Sequence, residues 1–527
     1  MIRVRQIKIP ILEDTYENKI NKIAKKLRIN TSDIYDIKIR KKSIDARNNN
    51  IMMIYEIDVT CKEEDKILRK NKSIDIFKSI KEEYKIEITG KEKLKYRPII
   101  VGSGPAGLFC AYILAELKYN PIIIERGEKI EDRVKTVEHF FKTGELNKNS
   151  NVQFGEGGAG TFSDGKLNTL TKDKSNRILK VFETFVEHGA SEDILIDNKP
   201  HIGTDVLRSV IINMRNKIIS LGGEFIYNSR VTDLIIEDGS IKGVEINNEK
   251  QLLSNIVVLA IGHSARDTYR LLREKNIEMR KKNFAVGVRV EHKKEMIDKN
   301  LYHDYYKLLP PASYKLTYQT KLNRGVYSFC MCPGGFVINA STEDDGLVIN
   351  GMSNKNRDEE NSNSAIVVTV GEKDLDDDLF SGIEFQRKLE KRAYQEGMGK
   401  IPVQTLKDFK LNKETISLGS VIPNTKGDYK LSNLNNVLPD FVIESIKEAL
   451  PVFGKKIKGF DKDDTIILGV ETRTSSPLVI VRDKDMTSSV KGLYPAGEGA
   501  GYAGGITTSA IDGIKVAEKI IAKYNNK

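Results

Sequence analysis

At 527 residues the chain is too long for one hydrophobic core, and length alone predicts about two to four domains. Its 39% hydrophobic and 30% charged residues exclude a fibrous or largely disordered chain. The net charge of +11 is uneven: residues 1–97 hold 25 Lys and Arg against 16 Asp and Glu, which is most of the excess.

No apolar run approaches the roughly 20 residues that cross a bilayer. The amino terminus, MIRVRQIKIPI, breaks its apolar residues with charge where an export signal needs an unbroken apolar stretch. No membrane partner is expected, and the expected location is cytoplasmic. Four cysteines in such a length cannot build a disulfide framework, which suits a reducing compartment. A concentrated positive segment can attract RNA or an acidic protein; lysines on a solvated face account for it equally simply.

Residues 1–96 read as a small α+β domain. Alternation at Ile2, Val4, Ile7 and Ile9 predicts a strand, and Ile20, Ile23, Ala24 and Leu27 share one face of a helix. DIYDIKIR and MMIYEIDV, joined by the turn-rich Arg47–Asn50, predict a hairpin, and a second helix is expected over 73–82. The charged ITGKEKLKYR at 88–97 reads as a linker.

From residue 97 the texture becomes strand, glycine loop and helix, the pattern of βαβ units. A Rossmann-type domain is expected over 97–285 and again over 465–527, with 286–464 inserted as a mixed α+β substrate domain. The insertion opens with the strand candidates AVGVRVEH, VYSFCMC, GFVINAS and GLVINGMS and continues with helices near 382–396 and 440–450. The expected fold class is therefore α/β: a discontinuous dinucleotide-binding domain, an inserted mixed α+β domain and a small α+β amino-terminal domain.

In RPIIVGSGPAGLFCAYILAEL an apolar strand runs into Gly102, Gly104 and Gly107 and then a helix. Gly102 permits the tight turn, Gly104 lets the backbone approach a pyrophosphate, and Gly107 lets helix and strand pack closely. Pro105 and Ala106 start the helix whose amides face the phosphates. The second strand, PIIIERG, ends in Glu125 and Arg126, where a carboxylate can accept from a ribose hydroxyl.

These features call for a dinucleotide, and the distant tail GLYPAGEGAGYAGGITTSAIDG at 492–513 selects FAD. It resembles the carboxy-terminal FAD motif of the glutathione-reductase-like flavoprotein superfamily. The resemblance implies that Glu498, beside Gly497, binds the ribityl chain and that the helix opening at Gly505 and Ile506 points at the flavin. VQFGEGGAGTFSDGKLNT at 152–169 packs five glycines and predicts a loop whose amides meet a phosphate or the flavin edge, through Gly157, Gly158, Gly160, Thr161 and Ser163. Val231 resembles the superfamily position that meets adenine, and Ala260 to Gly262 resembles its ATG motif. Over about 98–527 the chain resembles a bacterial family of uncharacterised FAD-dependent dehydrogenases. That resemblance implies the fold and FAD, and no substrate.

Flavin chemistry needs orientation, a proton donor or acceptor, and charge near the ring. Lys166 is a candidate proton donor or stabiliser of an anionic reduced flavin, or a phosphate contact. Cys332, with Cys330 in a CxC pair expected on one strand face, is redox-active, an acid, or structural; no metal site is read. Arg473 can grip a substrate carboxylate or phosphate, or form a packing ion pair. His263 is a general acid or a structural turn residue.

No second strand–GxGxxG–helix unit holds a nicotinamide, and neither CxxCxxxxC nor CxxC is present, so the chain does not look like a disulfide reductase. NAD(P)H enters only as a transient donor at an open flavin face. The expected activity is hydride transfer between FAD and a small organic substrate. A flavin-dependent RNA-modifying or RNA-binding protein and a non-catalytic flavin sensor are the alternatives.

Overall fold

The computed structural model describes residues 1–169 and 171–526. At the amino terminus an antiparallel sheet runs in the order Ile34–Asp45, Met52–Cys61, Ile2–Pro10, Ile76–Lys78. The helix Tyr16–Leu27, capped by the Thr15 side chain, packs on it through Ile23, Ala24 and Leu27.

The helix expected over 73–82 does not form. Ile76–Lys78 instead pairs with Ile2–Val4 as an edge strand, and the helix lies earlier, at Glu64–Lys70. An open sheet edge takes the segment, and this long-range pairing overrides the local helical pattern. The hairpin's outer strand adds to the next domain: the Lys42 amide donates to Ile196 O (2.7 Å) and the Asn198 amide to Lys42 O (2.9 Å). The stretch read as a linker is tied down, since Glu92–Lys93 pairs with Tyr524–Asn525. Several basic side chains of this domain are spoken for internally: Arg3 and Arg40 both meet Asp58, and Lys26 meets Asp75.

The central domain is a five-stranded sheet in the order Leu493–Pro495, Val257–Leu259, Ile99–Val101, Ile122–Ile124, Glu224–Ile226, parallel throughout. Its strands are short and apolar on both faces because helices cover both faces. The helix Pro105–Glu116 is buried from Ala106 to Ala115, pressed against the last helix, Ile506–Lys523. Glycines allow both close contacts of this helix: a Cβ on Gly107 would lie 1.9 Å from Gly102 O at the strand–helix turn, and one on Gly513 2.0 Å from Ala106 O where the two helices meet.

The inserted domain is built on a seven-stranded sheet in the order Thr317–Gln319, Gly325–Cys332, Asn361–Val370, Phe284–Lys293, Ile466–Glu471, Ile401–Thr405, Tyr429–Leu431. Helices Ser381–Gly397 and Asp440–Lys456 cover it, at the places the sequence pattern indicated. The return boundary expected at 465 lies later. Ile466–Glu471 is a central strand of this sheet, paired with Phe284–Lys293 and Ile401–Thr405, and only beyond it does the chain rejoin the parallel sheet. Among the described residues no helix is long and apolar enough to cross a membrane.

Gly107→Ala forces backbone atoms apart at the strand–helix–helix junction. It is expected to lower stability by about 2 kcal/mol or more, read as a fall in the urea midpoint at unchanged slope.

Candidate functional site

The carboxyl ends of four parallel strands open onto one large cavity, with Gly102, Glu125, Ala260 and Ala496 on its wall. Residues beyond strand ends of an open parallel sheet are where this architecture places ligands. Including its open mouth, the cavity has about 1540 Å³ of free space and runs from the Val231 end to the insertion.

Two helix amino termini face it. The helix Pro105–Glu116 begins at Gly104 and the helix Ile506–Lys523 at Gly505, and neither has a side-chain cap. Pro105, Ala106 and Ile506 line the wall. First-turn amides without a cap leave an anion site at each end, worth about 0.3–1 kcal/mol per charge from the dipole alone.

The strand-end acid Glu125 is 4% exposed and accepts four bonds: from the Ser103 amide (2.9 Å) and hydroxyl (2.6 Å), the Gly127 amide (3.0 Å) and the Gly155 amide (3.1 Å). A ribose hydroxyl would have to share a carboxylate that already binds the glycine-rich loop to the strand. Arg126, next to it, stacks over Phe154 at 4.1 Å and pairs with Asp267, leaving its Nε buried without a partner.

The glycine-rich loop divides. Gly158, Gly160, Ser163, Asp164 and Lys166 line the cavity. Gly157 and Thr161 do not: the Gly157 amide donates to Ser103 O (3.0 Å) and the Thr161 hydroxyl to Glu156 O (3.1 Å), so both hold the loop's shape. Gly107 and Gly497 also lie off the wall. Gly107 serves packing, and the Gly497 amide donates to Asp512 (2.7 Å). Val231, Gly262, Gly505 and Glu498 are on the wall.

At the far end, Glu498 has its carboxyl 3.8 Å from His263 Nδ1. Burial pushes Glu498 up to about 7, against the Gly505 amide and Lys282. Burial, then Arg473 and Arg266, pushes His263 down to about 3, so the ring is neutral, and its Nε2 has no partner.

Lys166 donates to Met331 O and lies 3.6 Å from Asp164, which Arg357 also grips. Burial opposes the lysine's charge, yet Asp164 and the two thiols outweigh it and hold its pKa above the ordinary value.

Arg473 reaches the wall but is not a free grip for substrate. Its fork closes on Glu390 (3.0 and 2.8 Å), and its remaining donors meet Ser264 and Thr342. Glu390 also takes both arms of Arg266, each at 2.9 Å.

The cysteines do not share a face. Cys330 sits at φ +42°, in a bulge where the register with Asn361–Val370 slips between Phe329 and Cys332. Cys330 therefore lines the cavity, while Cys332 is fully buried behind it and off the wall. Period-two alternation failed here because one extra residue entered the strand.

Arg289, Glu471 and Asn350 were not singled out from the sequence. Arg289, fully buried, donates to Glu471 (2.9 and 3.2 Å), Asn350 (3.1 Å), Asn363 (2.7 Å) and Cys330 O (3.1 Å). Burial lifts Glu471 to about 7 despite that pair. The available signal was an Arg inside the apolar strand AVGVRVEH, since a charge there must be paired.

Glu390→Gln leaves two buried guanidinium groups short of a counter-charge and is expected to cost about 3–5 kcal/mol, measured by urea denaturation. Glu498 gives a pH test. Between its ordinary value of 4.5 and about 7 the folded chain holds a proton that the unfolded chain has lost. Its contribution to stability is thus full below 4.5 and gone above about 7. Glu498→Gln is expected to flatten the loss of stability across that window; an unchanged slope contradicts the assignment.

Residues 283–474 match the family described as FAD-dependent protein, C-terminal domain-like, and residues 1–60 match a domain of unknown function, DUF8436. Two solved structures overlay on most of the chain. Glycine oxidase from Geobacillus kaustophilus has 11% identity, with 82% of this chain and 96% of that one covered, at a TM-score of 0.38. The flavin-dependent brominase Bmp2 has 13% identity, with 81% and 78% covered, at 0.37. A protein of Clostridium beijerinckii described as uncharacterized is 46% identical over 534 residues, 99% of each chain. With that identity over nearly its whole length, the chain belongs to the family of this clostridial protein.

Proposed function

We propose that the cavity holds FAD and that the protein is an FAD-dependent oxidoreductase acting on a small organic molecule between the parallel sheet and the insertion. The observation that carries this reading is the pair of uncapped helix amino termini opening on one cavity at the strand ends. Two buried polar atoms on the same wall, Arg126 Nε and His263 Nε2, have no partner among the described residues, as expected of a site shaped for a polar ligand.

The Ala106 amide would meet the pyrophosphate, and Arg126, Val231 and Glu125 on the same wall would flank the adenosine half. Glu498 and the amides following Gly505 would hold the ribityl and pyrimidine side. Bound there, FAD supplies two-electron chemistry by accepting or returning a hydride.

The chain's own residues do the rest. Lys166, kept charged beside Asp164, stabilises negative charge at that end of the cavity. Glu498, poised at about 7, can hold or release a proton, and neutral His263 beside it can pass one through Nε2. Phe329 adds an apolar ring to the cavity lining. A nicotinamide coenzyme, where one serves, visits this mouth as a transient donor.

Gly104→Ala tests the reading cleanly. Its backbone is extended at φ −70°, and a Cβ there meets only Gly158 Cα at 3.9 Å, so folding is spared while the phosphate approach is filled. The expected result is flavin absorbance in the purified protein, released as FAD on denaturation. The variant should bind at least about tenfold more weakly, roughly 1.4 kcal/mol, at an unchanged unfolding midpoint of the flavin-free chain. A chain that binds no added FAD sinks the proposal.

A further inference from the structure

Four features single out the CxC pair, which the hydride-transfer reading leaves without a task. Cys330 holds a left-handed conformation that a non-glycine residue adopts only when its surroundings impose it, and such strain collects at working sites. Cys330 lines the cavity, while Cys332 lies wholly buried beside it, its thiol donating to the Cys330 backbone carbonyl (3.4 Å). Cations from two other elements stand beside the pair, Lys166 from the glycine-rich loop and Arg289 from the strand Phe284–Lys293. The remaining cysteines, Cys61 and Cys110, are buried in separate cores.

We propose that Cys330 and Cys332 form a reversible dithiol–disulfide couple on the cavity wall, with Cys330 the attacking thiol and Cys332 the resolving one, taking a disulfide as substrate. The inference rests on the proposed function only in sharing its cavity.

One accessible thiol with an acidified sulfur and one buried, reluctant partner is the division of labour that thiol–disulfide exchange requires. The Cys332 hydrogen bond, with Lys166 and Arg289, holds Cys330 well below the ordinary thiol range, against burial and Asp164. Burial and its bond to Cys330 hold Cys332 above that range. Glu471 and Glu498 face the same sulfur and oppose its charge when ionised.

The step balances without another reactant. Cys330 thiolate attacks one sulfur of R–S–S–R and expels R–S⁻, which takes up a proton. Cys332 gives up its proton and attacks the Cys330 sulfur, breaking the mixed disulfide and expelling the second R–S⁻. Two protein thiols lose two electrons and two protons, and the substrate gains them as two thiols.

The test uses full-length protein at neutral pH in mixtures of reduced and oxidised glutathione, quenched with acid, alkylated with iodoacetamide after denaturation and read as peptide masses. The expected result is joint loss of alkylation at 330 and 332 in a linked pair, with Cys61 and Cys110 still alkylated. Cys332→Ser is expected to stop at glutathione held on Cys330, formed at least about tenfold faster than on Cys61. Two thiols that stay reduced throughout, or glutathione persisting on Cys330 of the unsubstituted chain, overturns the couple. The unsubstituted chain decides this even if a variant fails to fold. Peptide masses are independent of bound flavin, so failure of this couple and failure of the FAD reading are told apart.

Discussion

One buried carboxylate between two guanidinium groups fixes how the halves of this protein meet. Glu390 comes from the insertion helix Ser381–Gly397, Arg266 from the parallel-sheet domain, and Arg473 from the chain as it leaves the insertion's central strand. All three are nearly excluded from water, at 1%, 4% and 9% exposure. Desolvating three ions is costly, and apolar residues could pack as stably, so the triad's contribution is alignment. Bidentate forks tolerate little rotation, so the insertion is held in one pose over the strand ends. The cavity wall follows from that pose, because Arg473, His263 and Ser264 all lie beside the clamp.

Within the cavity, charge is arranged by what surrounds it. The strand-end side offers helix amino termini and no unpaired acid, since the Glu125 oxygens are filled by amides and a hydroxyl. The insertion side gathers ionisable groups in a dry wall: Glu471 and Glu498 near neutrality, His263 uncharged, Lys166 charged. Low dielectric raises the stakes for each, as proton position rather than solvent then decides local charge. A site with an anion-binding half and a proton-handling half suits a nucleotide cofactor on one side and chemistry on the other.

Local patterns carried most of the architecture. Short apolar strands followed by glycines and helices marked the parallel sheet, and the return of glycine-rich sequence near 492 marked its last strand, paired as β-strand Leu493–Pro495 with Val257–Leu259. Period-two stretches at 285–292 and 326–332 became strands of the seven-stranded sheet, on either side of Asn361–Val370. The misses share a cause. The segment 73–82 had helical composition but an open sheet edge within reach, and long-range pairing overrode propensity. Cys330 and Cys332 were separated by a bulge that depends on the partner strand.

The same division holds for the site. Residue type and spacing by themselves determined that Gly102 and Gly104 would make a turn open to a phosphate and that Glu498 would stand before a helix, because these are constraints between residues a few positions apart. Only the tertiary structure decided which of the grouped residues face the cavity: Gly158 and not Gly157, Cys330 and not Cys332, Glu498 and not Gly497. It alone also closed Arg473 on Glu390 and set Arg289 against Glu471. Those partners lie 83 and 182 positions apart in sequence, and an ion pair has no local signature. It exists only once packing has brought the two charges out of water together.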